Sequence, residues 1–334
     1  MYMKIAIVKL SALGDIVHAM ASLQLIKHTM PESKIDWIVE EGFSDVLEHN
    51  PHINAILCVN LKALKTDKFQ LFSEIKKLRK YAENNYDVVI DIQGLIKSAI
   101  VSRILGPNVG FDRKSIRETA ASSLYKKSFF VPYEENVIYR NLDLIASALN
   151  RPFDKNLLDK KDPFLFFLEK DKEKTDPLLE DEQKTIVHIL GSSWESKIYP
   201  KEKFVEIIHA LGGNHLLVWG NDSEKASALY VAENSHAHIL PRLTLNELKA
   251  LISCADLVIG ADSGPTHFAW AMNRPSITIF GPTPSARNTL TSKINKVIDC
   301  GKKIDPLKLD KKDLCIQKIE AKEIVILAKE LLNA

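Results

Sequence analysis

Short apolar, β-branched runs alternate with longer segments of helical periodicity along this chain, and the alternation occurs twice. In the first half strands are predicted at 5–8, 35–39 and 88–92. Helices are predicted at about 16–30, 69–84, 98–105 and 141–149, with Leu71, Ile75, Leu78 and Ala82 on one face of the second. Such alternation builds a parallel sheet with helices on both faces. From about 150 to 184 the pattern gives way to a charge-rich stretch carrying Pro163 and Pro177, with one short apolar element at 164–168. It then restarts, with strands predicted at 185–190, 215–219, 257–259 and 276–280 and helices at 203–211, 223–234, 244–254 and 320–332. Thr244 followed by Glu247 matches a capping box. The expected class is α/β, with two doubly wound domains at 1–155 and 185–334 joined by a connection at 156–184. The last helix is a candidate to pack back on the first domain. Two such domains in tandem would face a central cleft with the carboxyl ends of their strands. No short-period repeat is visible, which excludes a solenoid.

Composition narrows the class further. The 334 residues suffice for two ordinary domains, and 46% hydrophobic with 26% charged content is that of a soluble globular chain. A net charge of +2 argues against bulk nucleic-acid binding. No apolar run approaches the roughly 18 residues that would span a bilayer. The opening MYMKIAIVKL reads as a first strand rather than a signal peptide. Cys58, Cys254, Cys300 and Cys315 show no CxxC pairing, which points away from a zinc site or a disulfide framework and toward a reducing compartment.

The stretch 260–267, GADSGPTH, lies between the strand at 257–259 and an apolar helix start. Strand-to-helix turns in open α/β sheets face the ligand crevice, and helix N-terminal amides attract anions, phosphate above all. An acid aimed at a phosphate would repel it, so Asp262 fits hydroxyl groups beside the phosphate, and phosphate next to polyol suggests a nucleotide sugar. The competing reading is that Asp262 or Ser263 is only an N-cap. Four other turns share this kind of position. In KLSALGDIVH (9–18) Asp15 is either a cap or a general base on an acceptor hydroxyl, and His18 lies three residues on along the same helix. In LGSSWESKIYP (190–200) Ser192, Ser193 and Lys197 can surround a diphosphate with donors and positive charge. In WGNDSE (219–224) Glu224 either holds ribose hydroxyls or serves the first turn of a helix. FGPT (280–283) is a rigid turn. Neither GxGxxG nor GxxxxGK[ST] occurs. Basic residues gather in the first half at Lys62, Lys65 and Lys68, then at Lys97, Arg103, Arg113, Lys114 and Arg117. They are either solvated surface or a site for an anionic acceptor.

In order, the chain carries KLSALGDIVHA (9–19), WIVEEGF (37–43), DIQGLIKSA (91–99), RETAAS (117–122), WG (219–220), DSGPTH (262–267) and RPSITIFGPT (274–283). This ordered set, which spans nearly the whole chain, resembles the lipopolysaccharide heptosyltransferases of glycosyltransferase family 9. VEEGF and QGLIKS look like the heptosyltransferase I branch. The resemblance implies a GT-B fold of two Rossmann-like domains. It implies inverting transfer of L-glycero-D-manno-heptose from ADP-heptose to Kdo of lipid A, as a step of lipopolysaccharide inner-core synthesis. Carried over by residue, Asp15 matches the general base. Ser192, Ser193 and Lys197 match the donor-phosphate loop, with serines where the family often has threonines. Glu224 matches the ribose acid and Asp262 the heptose acid. Ser263, Gly264 and His267 match the rest of the donor motif, and Leu243 stands where the family can have Met at the adenine pocket. Lys62, Lys65, Lys97 and Arg117 fall in segments that meet the acceptor. Neither a cofactor nor a metal is implied, and no D-x-D pair occurs. The lipid acceptor implies peripheral contact with the cytoplasmic face of the inner membrane and no nucleic-acid partner. The alternatives are an epimerase or hydrolase acting on nucleotide sugars on the same scaffold, and a non-catalytic nucleotide-sugar binding module.

Overall fold

The computed structural model describes residues 2–63, 70–179 and 182–333. The chain divides into two compact units, Met1–Lys161 and Asp162–Ala334. In the first, β1 (Lys4–Val8), α1 (Leu13–Thr29), β2 (Lys34–Glu40), β3 (Ala55–Val59), α2 (Gln70–Ala82) and β4 (Val88–Asp91) follow one another. After them come α3 (Ile96–Leu105), β5 (Asn108–Phe111), β6 (Lys127–Phe129) and α4 (Val137–Leu149). The six strands lie in the order β3-β2-β1-β4-β5-β6 and every pairing is parallel. Ile5, Ala6, Ile7 and Val8 of the central β1 are fully buried, as an unbroken apolar run requires when helices cover both faces.

The second unit holds β7 (Thr185–Ile189), α5 (Lys201–Ala210), β8 (Asn214–Val218), α6 (Asp222–Glu233), β9 (His238–Ile239) and α7 (Leu245–Cys254). It continues with β10 (Leu257–Ala261), α8 (Gly264–Ala271), β11 (Ser276–Phe280), α9 (Ser285–Asn288), β12 (Asn295–Asp299) and α10 (Ala321–Leu332). Its strand order is β12-β11-β10-β7-β8-β9, again all parallel. Counted from the first strand of each unit, both sheets read 3-2-1-4-5-6. The order reverses between the first and fourth strands, at β1/β4 and at β7/β10, the position outside whose carboxyl ends open α/β sheets bind their ligands.

The capping box at α7 forms as its spacing predicts. Glu247 N donates to Thr244 Oγ1 (3.2 Å) and Thr244 N to Glu247 Oε2 (2.7 Å). The charged stretch after 150 is not a free linker. Leu158, Phe164 and Leu165 are buried, and Phe164 N donates to Ala271 O (3.1 Å) while its ring meets Trp270 edge-on at 5.6 Å. Lys249 Nζ, fully buried, caps Phe166 O at 3.0 Å. The apolar element expected at 164–168 therefore packs as an arm of the second unit. Within that unit α10 lies on α5, β10 and β11, with Ile324 and Ala328 fully buried.

Candidate active site

At the reversal point of the second unit, Asp262 follows β10 with only 6% of its surface exposed. Three side chains fill its carboxylate. Lys197 Nζ lies 2.7 Å from Oδ2, Thr283 Oγ1 donates to the same oxygen at 2.8 Å, and His267 Nε2 is 3.1 Å from Oδ1. Burial alone would raise this carboxyl, but the Lys197 charge and the His267 contact override it and hold Asp262 well below its ordinary range. The acid is therefore ionised at any physiological pH. Lys197 sits in a short 3-10 turn, Glu195–Lys197, and also faces the Trp194 ring at 5.2 Å.

Ser192, in the turn leaving β7, donates from Oγ to the Asp262 carbonyl at 3.0 Å and so ties the ends of β7 and β10 together. Ser193 beside it is exposed. Ser263 occupies the N-cap position of α8, but its hydroxyl pairs with Thr266 Oγ1 (3.0 Å) rather than with a backbone amide. The N–H groups of a helix's first turn have no partner inside the helix, so those of Gly264 and Thr266 keep their capacity for an anion. The cap reading of Ser263 thus holds for its backbone and not for its side chain.

Glu224, in the first turn of α6, accepts from Gly220 N and from Asn221 Nδ2, both at 2.7 Å. Gly191 lies directly beneath it, where any Cβ would overlap the carboxylate. Trp219 Nε1 donates to Leu240 O (2.7 Å), which draws the segment holding the half-buried Leu243 to the end of β8.

In the first unit Asp15 lies in the first turn of α1, half-exposed, and accepts from Ala12 N at 3.3 Å. The turn before it is pinned by Gln93, whose Oε1 accepts from both Leu10 N and Ser11 N at 3.1 Å. Gln93 N and Gly94 N in turn donate to Asp91 at the end of β4, so β1 and β4 are coupled at their reversal point. His18 is buried. Lys97 is half-exposed in the first turn of α3, where Ile96 N donates to Glu118 Oε2 (2.8 Å), and Arg117, next to Glu118 in sequence, is exposed. Lys62 is exposed and its ammonium lies 4.4 Å from the Phe43 ring centre. Lys65 and Lys68 lie outside the described residues.

The family model of glycosyltransferase family 9 (heptosyltransferase) matches residues 74–313. The chain belongs to that family. It is 43% identical to a lipopolysaccharide heptosyltransferase 1 of Campylobacter coli, across 98% of this chain and 99% of that one. Identity to the protein of the same name from Pseudomonas aeruginosa is 30%, across 84% and 79%. Among solved structures, E. coli heptosyltransferase WaaC with ADP is 25% identical with a TM-score of 0.81, covering 98% of this chain and all of that one. The same enzyme with ADP-2-deoxy-2-fluoro heptose gives 0.79 at 25% identity, covering 99% and 100%. This chain is thus a glycosyltransferase, and its two Rossmann-like units are those of the GT-B fold.

Three side chains of this glycosyltransferase were not visible as site residues in the sequence. Thr283 was legible only as part of a rigid turn, yet it supplies one of the three contacts on Asp262. Gln93 and Glu40 sit inside DIQGLIKSA and WIVEEGF, segments that carry the family likeness without indicating what these side chains touch.

Proposed function

We propose that this glycosyltransferase moves L-glycero-D-manno-heptose from ADP-heptose to a Kdo sugar of lipid A, with inversion at the anomeric carbon. The observation that carries the reading is the Asp262–Lys197–His267–Thr283 cluster beside the uncapped first turn of α8. An ionised, buried acid and an anion-binding helix start occur together at one reversal point, as a sugar joined to a diphosphate requires. The WaaC structures carry ADP and a fluorinated ADP-heptose, which supports the same class of donor here.

In the reaction the acceptor hydroxyl gives its proton to Asp15 Oδ as its oxygen bonds to the anomeric carbon. The bond from that carbon to the β-phosphate oxygen breaks, and ADP leaves with the electron pair. The transition state is oxocarbenium-like. Lys197 spends one ammonium hydrogen on Asp262 and retains two for the departing diphosphate. The Gly264 and Thr266 amides add fixed positive dipole ends, and Ser192 and Ser193 add hydroxyl donors. Asp262 orients heptose hydroxyls, Glu224 the ribose, His267 completes the donor turn, and Leu243 lies against the adenine. Lys62, Lys65, Lys97 and Arg117 meet the anionic acceptor. No helix among the described residues is long and apolar enough to cross a membrane. Access to a lipid acceptor is then peripheral, at the cytoplasmic face, through basic and apolar side chains of the first unit.

The test is ADP release from ADP-heptose, with and without Kdo–lipid A, for the wild type and Asp15→Ala, with ADP affinity of both proteins measured by calorimetry. Acceptor-dependent release that is lost in Asp15→Ala while ADP affinity is kept supports the reading. Acceptor-independent release points instead to a hydrolase or epimerase, and ADP binding without release in any condition to a binding module.

A further inference from the structure

Glu40 ends β2 with 2% of its surface exposed, and the two oxygens of its carboxylate are treated differently. Oε2 accepts from Leu61 N at 3.1 Å. Oε1 is buried with no hydrogen-bond partner among the described residues. Lys97 Nζ stands 3.9 Å from it, outside hydrogen-bond reach, on a side chain that is 41% exposed. Buried carboxylate oxygens are ordinarily filled, so an empty one is a feature to explain. Burial raises the Glu40 carboxyl, while the Lys97 and Lys62 charges and the Leu61 and Lys62 amides oppose the rise.

Topology says where this oxygen lies. Strand β1 runs between β2 and β4. Glu40 N donates to Leu10 O (3.2 Å), at the root of the turn that carries Asp15, while Lys97 comes from α3 on the far side of β1. The Glu40–Lys97 pair therefore spans the end of β1, at the reversal point where that turn departs. The lip beside it is tied down by Asn60, whose Nδ2 donates to Glu41 Oε2 (3.2 Å) and whose N donates to Glu74 Oε2 (3.0 Å).

We infer that Glu40 binds the acceptor, taking a sugar hydroxyl hydrogen bond on Oε1 while Lys97 takes the acid group of the same sugar. The assignment rests on the proposed transfer reaction and deepens it. A bare phosphate would satisfy Lys97 and be repelled by Glu40. A neutral sugar would satisfy Glu40 and leave Lys97 unmatched. A hydroxylated sugar carboxylate fits both, so the pair selects a sugar acid.

The experiment is steady-state kinetics on Glu40→Gln, Lys97→Ala and the double variant, with ADP-heptose and Kdo–lipid A varied separately, alongside ADP affinity and melting temperature. Glu40→Gln keeps the shape of the buried side chain and removes its charge. The acceptor KM is expected to rise about tenfold or more, the effect of losing a hydrogen bond to a charged group, with donor KM and ADP affinity unchanged. The double variant should show less than the product of the single effects, because both groups hold one sugar. An acceptor KM unchanged in Glu40→Gln overturns the inference. So does a parallel loss of donor and acceptor affinity, which marks a purely structural acid. A wild type without acceptor-dependent ADP release removes the transfer reading itself, and is told apart because it appears before any substitution is made.

Discussion

Two buried histidines make the second unit sensitive to acid. His188 on β7 and His215 on β8 are both fully buried, with rings stacked at 5.1 Å and His188 Nε2 2.8 Å from His215 Nδ1. His215 Nε2 also lies 3.3 Å from Leu211 O, which can only accept. That nitrogen carries the hydrogen, so His215 Nδ1 accepts from His188 Nε2–H, and His188 Nδ1 remains a buried acceptor with no partner among the described residues. The arrangement requires both rings to be neutral. Burial, with a smaller push from His236, lowers the His215 pKa to about 4 from its ordinary 6.5, and burial beside His215 takes His188 well below. Between those values the unfolded chain binds a proton that the folded chain refuses. Stability is therefore complete above pH 6.5 and is lost as the pH falls toward 4. At 1.36 kcal/mol per unit the ceiling for His215 alone is about 3 kcal/mol, and about 2 kcal/mol of it is lost between pH 7.5 and 5. His188 adds in the same direction.

The assay is urea unfolding at pH 7.5 and 5.0, followed by tryptophan fluorescence, since Trp194, Trp219 and Trp270 all lie in the second unit. The comparison is with His188→Leu/His215→Leu, in which every other titrating group is retained. The wild type is expected to lose about 2 kcal/mol or more relative to that variant over this interval. Because β7 and β8 lead into Ser192 and Glu224, ADP affinity should weaken over the same range. An equal pH dependence in the two proteins would refute the reasoning.

Gly191→Ala should displace the Glu224 carboxylate and weaken ADP binding about tenfold or more, the result of losing a charge-assisted hydrogen bond; calorimetry on the folded variant checks it. Cys254 is exposed, whereas the Cys315 thiol is buried beside Cys300 (Sγ to Sγ 2.8 Å) and pushed up to about 12, first by burial and then by that contact. Alkylation at pH 8 followed by mass spectrometry should therefore label Cys254 well before Cys315. Binding to anionic vesicles should weaken steeply between low and physiological salt, since exposed charges are screened over about 10 Å at 0.1 M; sedimentation that does not respond to salt would count against the basic surface of the first unit.

The buried strands were legible wherever an apolar run was unbroken, as at Ile5–Val8 and Ser276–Phe280. They were not legible where a strand was short or polar. Strands β3, β5, β6, β9 and β12 escaped because AILCV is only partly buried, NVGF contains a glycine, and KSF, HI and NKVID carry too little apolar periodicity. Helix α4 begins at Val137, four residues before the expected start, because Asn136 accepts from Ile138 N and caps it. In the Asp262 cluster, the motif made Asp262 and His267 visible, and Lys197 could be found because its charge stood near serines in a strand-end turn. Contacts reaching across the sheet were invisible. Thr283 meets Asp262 over a separation of 21 residues and Gln93 meets Leu10 over 83, and no local pattern encodes such a distance.

The same topological slot holds an acid in both units, and the two behave in opposite ways. Asp262 follows the fourth strand of the second unit, and Asp91 ends the fourth strand of the first. Asp91 is fully buried and held by Tyr125 Oη (2.8 Å) with the Gln93 and Gly94 amides, all uncharged. With no cation among the described residues to offset burial, its carboxyl is pushed up to about 6, although those hydrogen bonds oppose the rise. For a raised acid the sign reverses. Ionising Asp91 costs stability above pH 6, and the cost fades as the pH falls from 6 toward 3.8. The cost reaches about 3 kcal/mol at pH 7.5. Asp91→Asn removes the charge and keeps an oxygen for the two amides, so it is expected to be neutral or stabilising at pH 7.5 and indifferent near pH 4. Asp262→Asn leaves Lys197 buried without its partner and should cost about 3–5 kcal/mol. Urea unfolding of both variants at pH 7.5 separates the two cases. Equal destabilisation would mean that the cation is not what distinguishes them. The expected contrast would mark Asp262 as an acid kept charged for a ligand, and Asp91 as a hydrogen-bonding post that orders Gln93 and, through it, the turn bearing Asp15.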